Sequence, residues 1–138
     1  MDCIFCKIVA GELPSYKVYE DGNVLAFLDI APINKGHVLV IPKKHYETTL
    51  ETPDELVTHL ALTVKKIAAA VMQATGAHAV NIGINNGAES GQIVFHTHWH
   101  IMPRFSGDGY ELWKGKDTAY GEGEANIIAQ KIAEKLEK

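Results

Sequence analysis

Three of the seven histidines in this 138-residue chain, His96, His98 and His100, stand at alternate positions. Alternation is the strand period, so an extended segment would project all three imidazoles from one face, roughly 6.5–7 Å apart. Phe95, Thr97, Trp99 and Ile101 would then project from the other face and pack on a core. Neutral imidazole is a nucleophile, a general base and a common metal ligand. The row therefore fits a three-histidine zinc site, a nucleophilic site with helpers, or a mixture of the two. A purification-type histidine run is the bland alternative, but such runs sit at termini in polar sequence, not in an aromatic-rich strand ended by Pro103.

Cys3 and Cys6 are the only cysteines, spaced Cys-x-x-Cys. Without an export signal, that spacing favours metal or redox chemistry over a structural disulfide. Same-strand histidines converge poorly on one ion. The simpler division lets Cys3 and Cys6 form half of a tetrahedral Cys₂His₂ site, completed by His45 and His96. His98 and His100 are then free for chemistry. From spacing alone, redox use and two packed thiols stay open for the cysteines.

The elements that must position these groups follow from patterning. Ile4, Phe5, Ile8 and Val9 predict a short helical turn over Ile4–Ala10, stopped by Gly11. Lys17–Glu20 and Val24–Asp29 read as strands joined by the turn Asp21-Gly22-Asn23. His37–Pro42 is a third strand. Thr52 as N-cap, Pro53 as first helical residue and Glu55 three positions on form a capping box. From there Leu56, Leu60, Val64, Ile67 and Val71 make a core-facing stripe up to Gly76. Val80–Asn85 is a fourth strand, Asn86–Gln92 a glycine-containing loop and Ile93–Met102 the fifth strand. Glu124–Glu137 is a last helix, with Ile128, Ile132 and Leu136 four residues apart; His59 and His78 belong to no site. Five strands, two longer helices and hairpin-length connections predict an α+β fold, a five-stranded antiparallel meander with one long helix and a C-terminal helix.

Composition sets outer limits. Length suits one domain with its own core, and 46% hydrophobic with 22% charged residues is ordinary for a globular chain. A formal net charge of −4, with Arg104 the sole arginine, argues against an extended nucleic-acid surface but not against a mononucleotide. No signal sequence and no long apolar run are evident, so the expected location is cytoplasmic, with no membrane partner.

The run His96–Met102 resembles the His-φ-His-φ-His-φ-φ signature of the histidine triad (HIT) proteins, φ being apolar; Thr97 departs at one φ position. Ile4–Ile8, Ala26–Ile30, Gly36–His45, Asn85–Gly87 and Gly91–Gln92 resemble the same family in its usual order. The similarity covers nearly the whole chain up to Arg104. Met102-Pro103-Arg104 and the later Gly107-Asp108-Gly109 with Trp113 look like the bacterial and archaeal members. The resemblance implies one HIT domain over residues 1–138, with a core at 3–105 and an irregular segment and helix at 106–138. It implies a hydrolase or transferase acting at the α-phosphate of AMP-type purine nucleotidyl substrates through a covalent nucleotidyl-histidine intermediate. Dinucleoside polyphosphate hydrolase and adenosine phosphoramidase activities both fall within that class. In it, His98 is the nucleophile, His37 and His100 position phosphate and leaving group, and Asp29 holds the ribose hydroxyls. Asn85, Gly91 and Gln92 match residues near the phosphate, and Phe5, Phe27 and Ile30 residues around the nucleotide. Cys3, Cys6, His45 and His96 match the structural zinc site of zinc-bearing members. A homodimer is also implied. Ile93 stands where the animal phosphoramidase branch has a serine, which makes dinucleoside polyphosphates and other AMP esters comparable substrate expectations. The competing reading is a nucleotide- or zinc-binding interaction module with little catalysis.

Overall fold

Strands β1 (Lys17–Glu20), β2 (Val24–Leu28), β3 (Val38–Pro42), β4 (Ala79–Ile84) and β5 (Trp99–Arg104) form one sheet in the order β1-β2-β3-β5-β4. Every neighbouring pair is antiparallel. The computed structural model describes residues 2–111, 115 and 119–136. Trp113 and the predicted helix end at Glu137 lie outside the described residues. Three helices accompany the sheet: α1 (Ile4–Val9), α2 (Asp54–Thr75) and α3 (Glu124–Leu136). This is the expected α+β architecture, with one departure from simple succession. Helix α2 crosses the sheet after β3 and sets β4 at the far edge, so β5 folds back into the slot between β3 and β4.

The sheet is covered on both faces, which explains why β3, Val38-Leu39-Val40-Ile41-Pro42, is apolar without alternation. Val38 and Val40 join Val24, Ala26, Trp99 and Ile101 beneath Leu60, Val64, Ile67 and Val71 of α2. Leu39 and Ile41 point the other way, to Leu25, Phe27 and the Phe5 ring of α1. Each fully buried branched side chain of this kind contributes roughly 1.5–3 kcal/mol.

Three predicted details shift. Helix α2 begins at Asp54 with Pro53 at its N-cap and no side-chain cap. Thr52 is buried and donates its hydroxyl to the Thr48 carbonyl instead. The capping box does not form, because the preceding turn Thr49–Glu51 claims that threonine. Gly76 closes the helix with φ +75°, as its position implied. Second, the Asp21 carboxylate, rather than a positive-φ glycine, stabilises the first hairpin by accepting from the Asn23 and Val24 amides at 2.8 and 2.9 Å. It also takes His59 Nε2 at 2.7 Å, which gives His59 a structural partner.

Third, the histidine strand is shorter than alternation suggested. Pairing starts at Trp99, so only His100 lies in a ladder, opposite Leu39 and Gly83. Residues 93–98 run as an irregular segment. Thr97, Trp99 and Ile101 are buried as expected, but Phe95 is 42% exposed, because the strand has not begun there. Thr97 is satisfied where an apolar residue was expected. Its amide donates to the Tyr46 carbonyl at 2.8 Å, and its hydroxyl lies 2.7 Å from that of Thr49, which also accepts from Trp99 Nε1–H. Helix α3 buries none of its described residues, and among the described residues no helix is long and apolar enough to cross a membrane.

Candidate active site and metal centre

A cavity of about 560 Å³ opens between two walls. One runs from α1 through the end of β2 and includes Phe5, Phe27, Asp29 and Ile30. The other is the loop after β4, with Asn85, Gly91, Ile93 and Val94. His98 and His100 form its floor.

His37 is set just before β3, behind a required glycine. Gly36 has φ +100°, and a Cβ there would come within 2.5 Å of Thr75 Cγ2. The His37 ring is buried and accepts the Ile33 amide on Nδ1 at 3.2 Å. Burial pushes its pKa down, so the ring is neutral and its single proton sits on Nε2. That Nε2–H faces His100 Nδ1 at 2.9 Å, with the Asp29 carboxylate 3.7 Å away. His100 Nδ1 must therefore be the acceptor. Its pKa is lowered to about 4 by burial and by the neighbouring His98 and His37 rings. The His100 proton is left on Nε2, a buried atom with no hydrogen-bond partner among the described residues. An orphaned buried donor costs about 1–3 kcal/mol, so this N–H calls for an acceptor.

His98 resolves the same way. Nδ1 lies 2.8 Å from the His96 backbone carbonyl, which can only accept. Nδ1 therefore carries the proton and Nε2 keeps its lone pair. Burial also lowers the His98 pKa, so the neutral ring is the resting form. The Phe5 ring packs edge-on against it at 5.1 Å. A neutral imidazole with one nitrogen bare and the other anchored is prepared to attack an electrophile.

His96 turns away from this cavity. Its Nε2 sits 2.8 Å from the Pro42 carbonyl, so that nitrogen is protonated and Nδ1 is bare. Around Nδ1 lie Cys3 Sγ at 3.4 Å, Cys6 Sγ at 3.5 Å and His45 Nδ1 at 3.2 Å; Cys6 Sγ is also 3.4 Å from His45 Nδ1. All four donor atoms lie within 4.8 Å of one another. Zinc–sulfur and zinc–nitrogen bond lengths place tetrahedral neighbours roughly 3.3–3.8 Å apart, which matches these separations. Protonation also fits: burial, with His45 and His98 adding to it, holds His96 down at about 4 and ready to ligate. Cys6 is pushed up to about 11 by burial and by Cys3 beside it, the penalty that a bound dication reverses by favouring thiolate. Cys3 caps α1 and accepts the Cys6 amide at 3.3 Å, so the helix holds the Cys-x-x-Cys spacing. The donor set fits zinc.

The structure separates the remaining expected site residues. Asn85, Gly91, Asp29, Phe5, Phe27 and Ile30 line the cavity, Ile30 being 88% exposed at its mouth. Gly91, at φ +103°, lets its backbone lie against the Asn85 amide. Gln92 does not line the cavity. Its amide donates to the Glu47 and Val94 carbonyls and accepts the Gly87 amide, so it clamps the loop from behind. Residue-by-residue reasoning missed Ile4, Ile8, Leu13 and Val94 as cavity walls. Nothing in their types separates them from core residues. The backbone groups of Ile33, Pro42 and His96 that fix the tautomers were equally silent.

The chain is similar to known proteins over most of its length. The HIT domain family model matches residues 10–107. Protein hit of Bacillus subtilis (strain 168) is 47% identical over 137 residues, covering 98% of this chain and 94% of its own. A Zn-bound histidine triad family protein from Mycobacterium smegmatis superposes with a TM-score of 0.77 at 38% identity, covering 97% of this chain and 95% of its own. A histidine triad nucleotide-binding protein from Candida albicans superposes at 0.85 and 32% identity, covering 98% and 97%. With the three histidines already distinguished by their hydrogen bonds, the family match over most of the chain decides the matter: this protein belongs to the HIT family.

Proposed function

We propose that the chain is a nucleotidyl hydrolase or transferase acting at the α-phosphorus of AMP-type substrates, with His98 as nucleophile. One observation carries the reading. His98 donates Nδ1–H to the His96 carbonyl and is thereby left with a bare Nε2, on the same cavity floor as the unpaired donor His100 Nε2–H. In the first step His98 Nε2 forms a bond to phosphorus, and the bond from phosphorus to the leaving group breaks with its electron pair on the departing atom. His98 becomes a phosphorylated imidazolium whose Nδ1–H stays on the His96 carbonyl. His100 Nε2–H donates to a phosphate oxygen and offsets charge gathered there. In the second step water bonds to phosphorus through oxygen, its proton passes to solvent, and the P–N bond electrons return to His98. An acceptor hydroxyl in place of water gives transfer instead of hydrolysis.

Asp29 suits the ribose hydroxyls. Its Oδ1 accepts the Ala31 amide at 2.9 Å, which fixes the carboxylate at the cavity wall. Phe5, Phe27 and Ile30 supply apolar surface for a base. Zinc on Cys3, Cys6, His45 and His96 would act as a structural cross-link between α1 and the histidine segment. The relatives reported as zinc-bound and nucleotide-binding support both assignments. We also read the protein as cytoplasmic and as a homodimer, the second supported by apolar side chains left exposed on α2 and the edge strand β4, Leu62 at 63% and Ile82 at 49%.

The test is mass spectrometry of protein quenched during turnover of an AMP ester, alongside the His98→Ala variant. A nucleotidyl adduct on His98 is expected. The variant should lose at least about a thousandfold in rate while still binding AMP. Unchanged turnover in His98→Ala would refute the mechanism.

A further inference from the structure

Arg104, the sole arginine, and the turn Gly107-Asp108-Gly109 have no part in the chemistry above. They nevertheless form an ionic cluster whose carboxylate is nearly buried, the Asp108 side chain being 8% exposed. That carboxylate takes Arg104 Nε at 2.8 Å and Nη2 at 2.9 Å, a two-pronged pair. The Phe105 and Tyr110 amides donate to it at 3.1 Å each, which closes the turn. These bonds hold residues 104–110 together by themselves. A further donor comes from elsewhere: Asn34 Nδ2, 74 positions away in sequence, at 2.9 Å.

Asn34 lies in the loop that joins β2 to β3, with Asp29 at one end and His37 at the other. The neck of this loop is closed by Asp29 N–H on the His37 carbonyl at 2.9 Å. Inside it, His37 N–H donates to the Asn34 carbonyl at 3.1 Å. Ile33 N–H donates to His37 Nδ1, the bond that fixes the His37 tautomer. None of residues 30–36 is buried, so apolar packing does not hold the loop in place. The Asn34 amide does. It donates one proton to Asp108 and the other to the Pro103 carbonyl, both at 2.9 Å. Both partners are acceptors only, which fixes the direction of the amide. Arg104 and the other donors hold the Asp108 carboxyl far below the usual carboxylate range, so it stays ionised and accepting.

We propose that Asp108 is a positioning residue: through Asn34 it holds the 29–37 loop so that Asp29 stays at the cavity wall and His37 Nε2–H stays on His100. The proposal rests on the nucleotidyl reading for what those side chains do, and adds what keeps them in place. Arg104 orients the carboxylate, and its Nη1–H on Asn81 Oδ1 at 2.9 Å anchors the cluster to β4. A loop released at Asn34 lets the Ile33 amide leave His37 Nδ1, and the ring is then free to turn its proton away from His100.

The experiment measures amide hydrogen exchange at Ile33 and His37, and AMP affinity by calorimetry. The proteins are the wild type, Asn34→Ala, Asp108→Ala and the two changes combined. Exchange is read relative to the Val64 amide of α2, which reports global stability. Each single change should speed relative exchange at both loop amides by about tenfold or more. Each should also weaken AMP by about fivefold or more, and the combined variant should bind no more weakly than the weaker single, because both changes cut one tether. Relative exchange unmoved by either change, or AMP losses that multiply in the combined variant, would overturn the proposal. Should Asp108→Ala fail to fold, Asn34→Asp replaces it, keeping the Asp108–Arg104 pair while setting a second carboxylate against Asp108. Loop amides as protected in Asn34→Asp as in the wild type would overturn the proposal equally. If the loop amides respond as expected but the wild type does not bind AMP, the nucleotidyl reading falls while the hold on the loop stands.

Discussion

His100 is held neutral at a pH where a free imidazole is substantially charged, and this predicts a specific acid sensitivity. In the folded protein its pKa is about 4, lowered first by burial and then by the His98 and His37 rings; the ordinary value is 6.5. Between those values the unfolded chain binds a proton that the folded chain refuses, so stability falls as pH drops from about 6.5 towards 4. Above 6.5 both states are neutral and the contribution is constant. At about 1.4 kcal/mol per pH unit, the window corresponds to at most about 3.5 kcal/mol, and partial access of water to the ring trims it to roughly 2 kcal/mol. The assay is urea unfolding of wild type and His100→Gln at pH 7.5, 6.5, 5.5 and 4.5. Acid effects on the metal ligands are common to both proteins and cancel in the difference. The variant should be less stable than wild type at pH 7.5 through lost packing and the lost His37 partner. Its deficit should then shrink by about 2 kcal/mol by pH 4.5. A deficit that stays constant across the series would show that His100 is not a buried neutral group, and the tautomer assignment built on it would fail.

Two further outcomes test the neighbouring structure. Cys6→Ser should lose bound zinc measured by elemental analysis and unfold at lower urea, whereas His98→Ala should keep its metal; zinc lost with His98 but retained with Cys6→Ser would reverse the ligand assignment. Gln92→Ala removes three hydrogen bonds from a nearly buried amide and should cost about 2 kcal/mol. Amide exchange at Gly87 should accelerate with it, and protection unchanged at Gly87 would show that the loop is held by something else.

How much of this was legible depended on whether the signal lay in side-chain type or in backbone placement. The strand at β3 and the core stripe on α2 were visible as an apolar run and as helical periodicity, while the two-sided burial of β3 emerged only with the fold. The convergence of Cys3, Cys6, His45 and His96 could be guessed because metal ligands are few and chemically distinctive. Their approach spans up to 93 positions of separation, which only the fold sets. Gln92 was misplaced for the opposite reason. A glutamine beside a glycine loop can face ligand or backbone with equal chemistry, and three local backbone partners decided it. The Thr52 cap failed because a short turn just upstream offered that hydroxyl a carbonyl, a competition that sequence spacing does not reveal.

The late start of β5 is the departure that matters most for chemistry. In a regular antiparallel strand the His96 carbonyl would be directed towards a neighbouring strand, and His96, His98 and His100 would face one side together. Because pairing waits until Trp99, that carbonyl is free to accept His98 Nδ1–H. The same irregularity lets the His96 ring turn to the cysteines while His98 stays with the cavity. The cysteine–histidine cluster and the proposed nucleophile are thus joined through one residue, whose side chain turns a bare nitrogen to the cysteines and whose backbone fixes the tautomer of the His98 ring. Alternation brings the three histidines close; breaking the strand between them is what gives them different work.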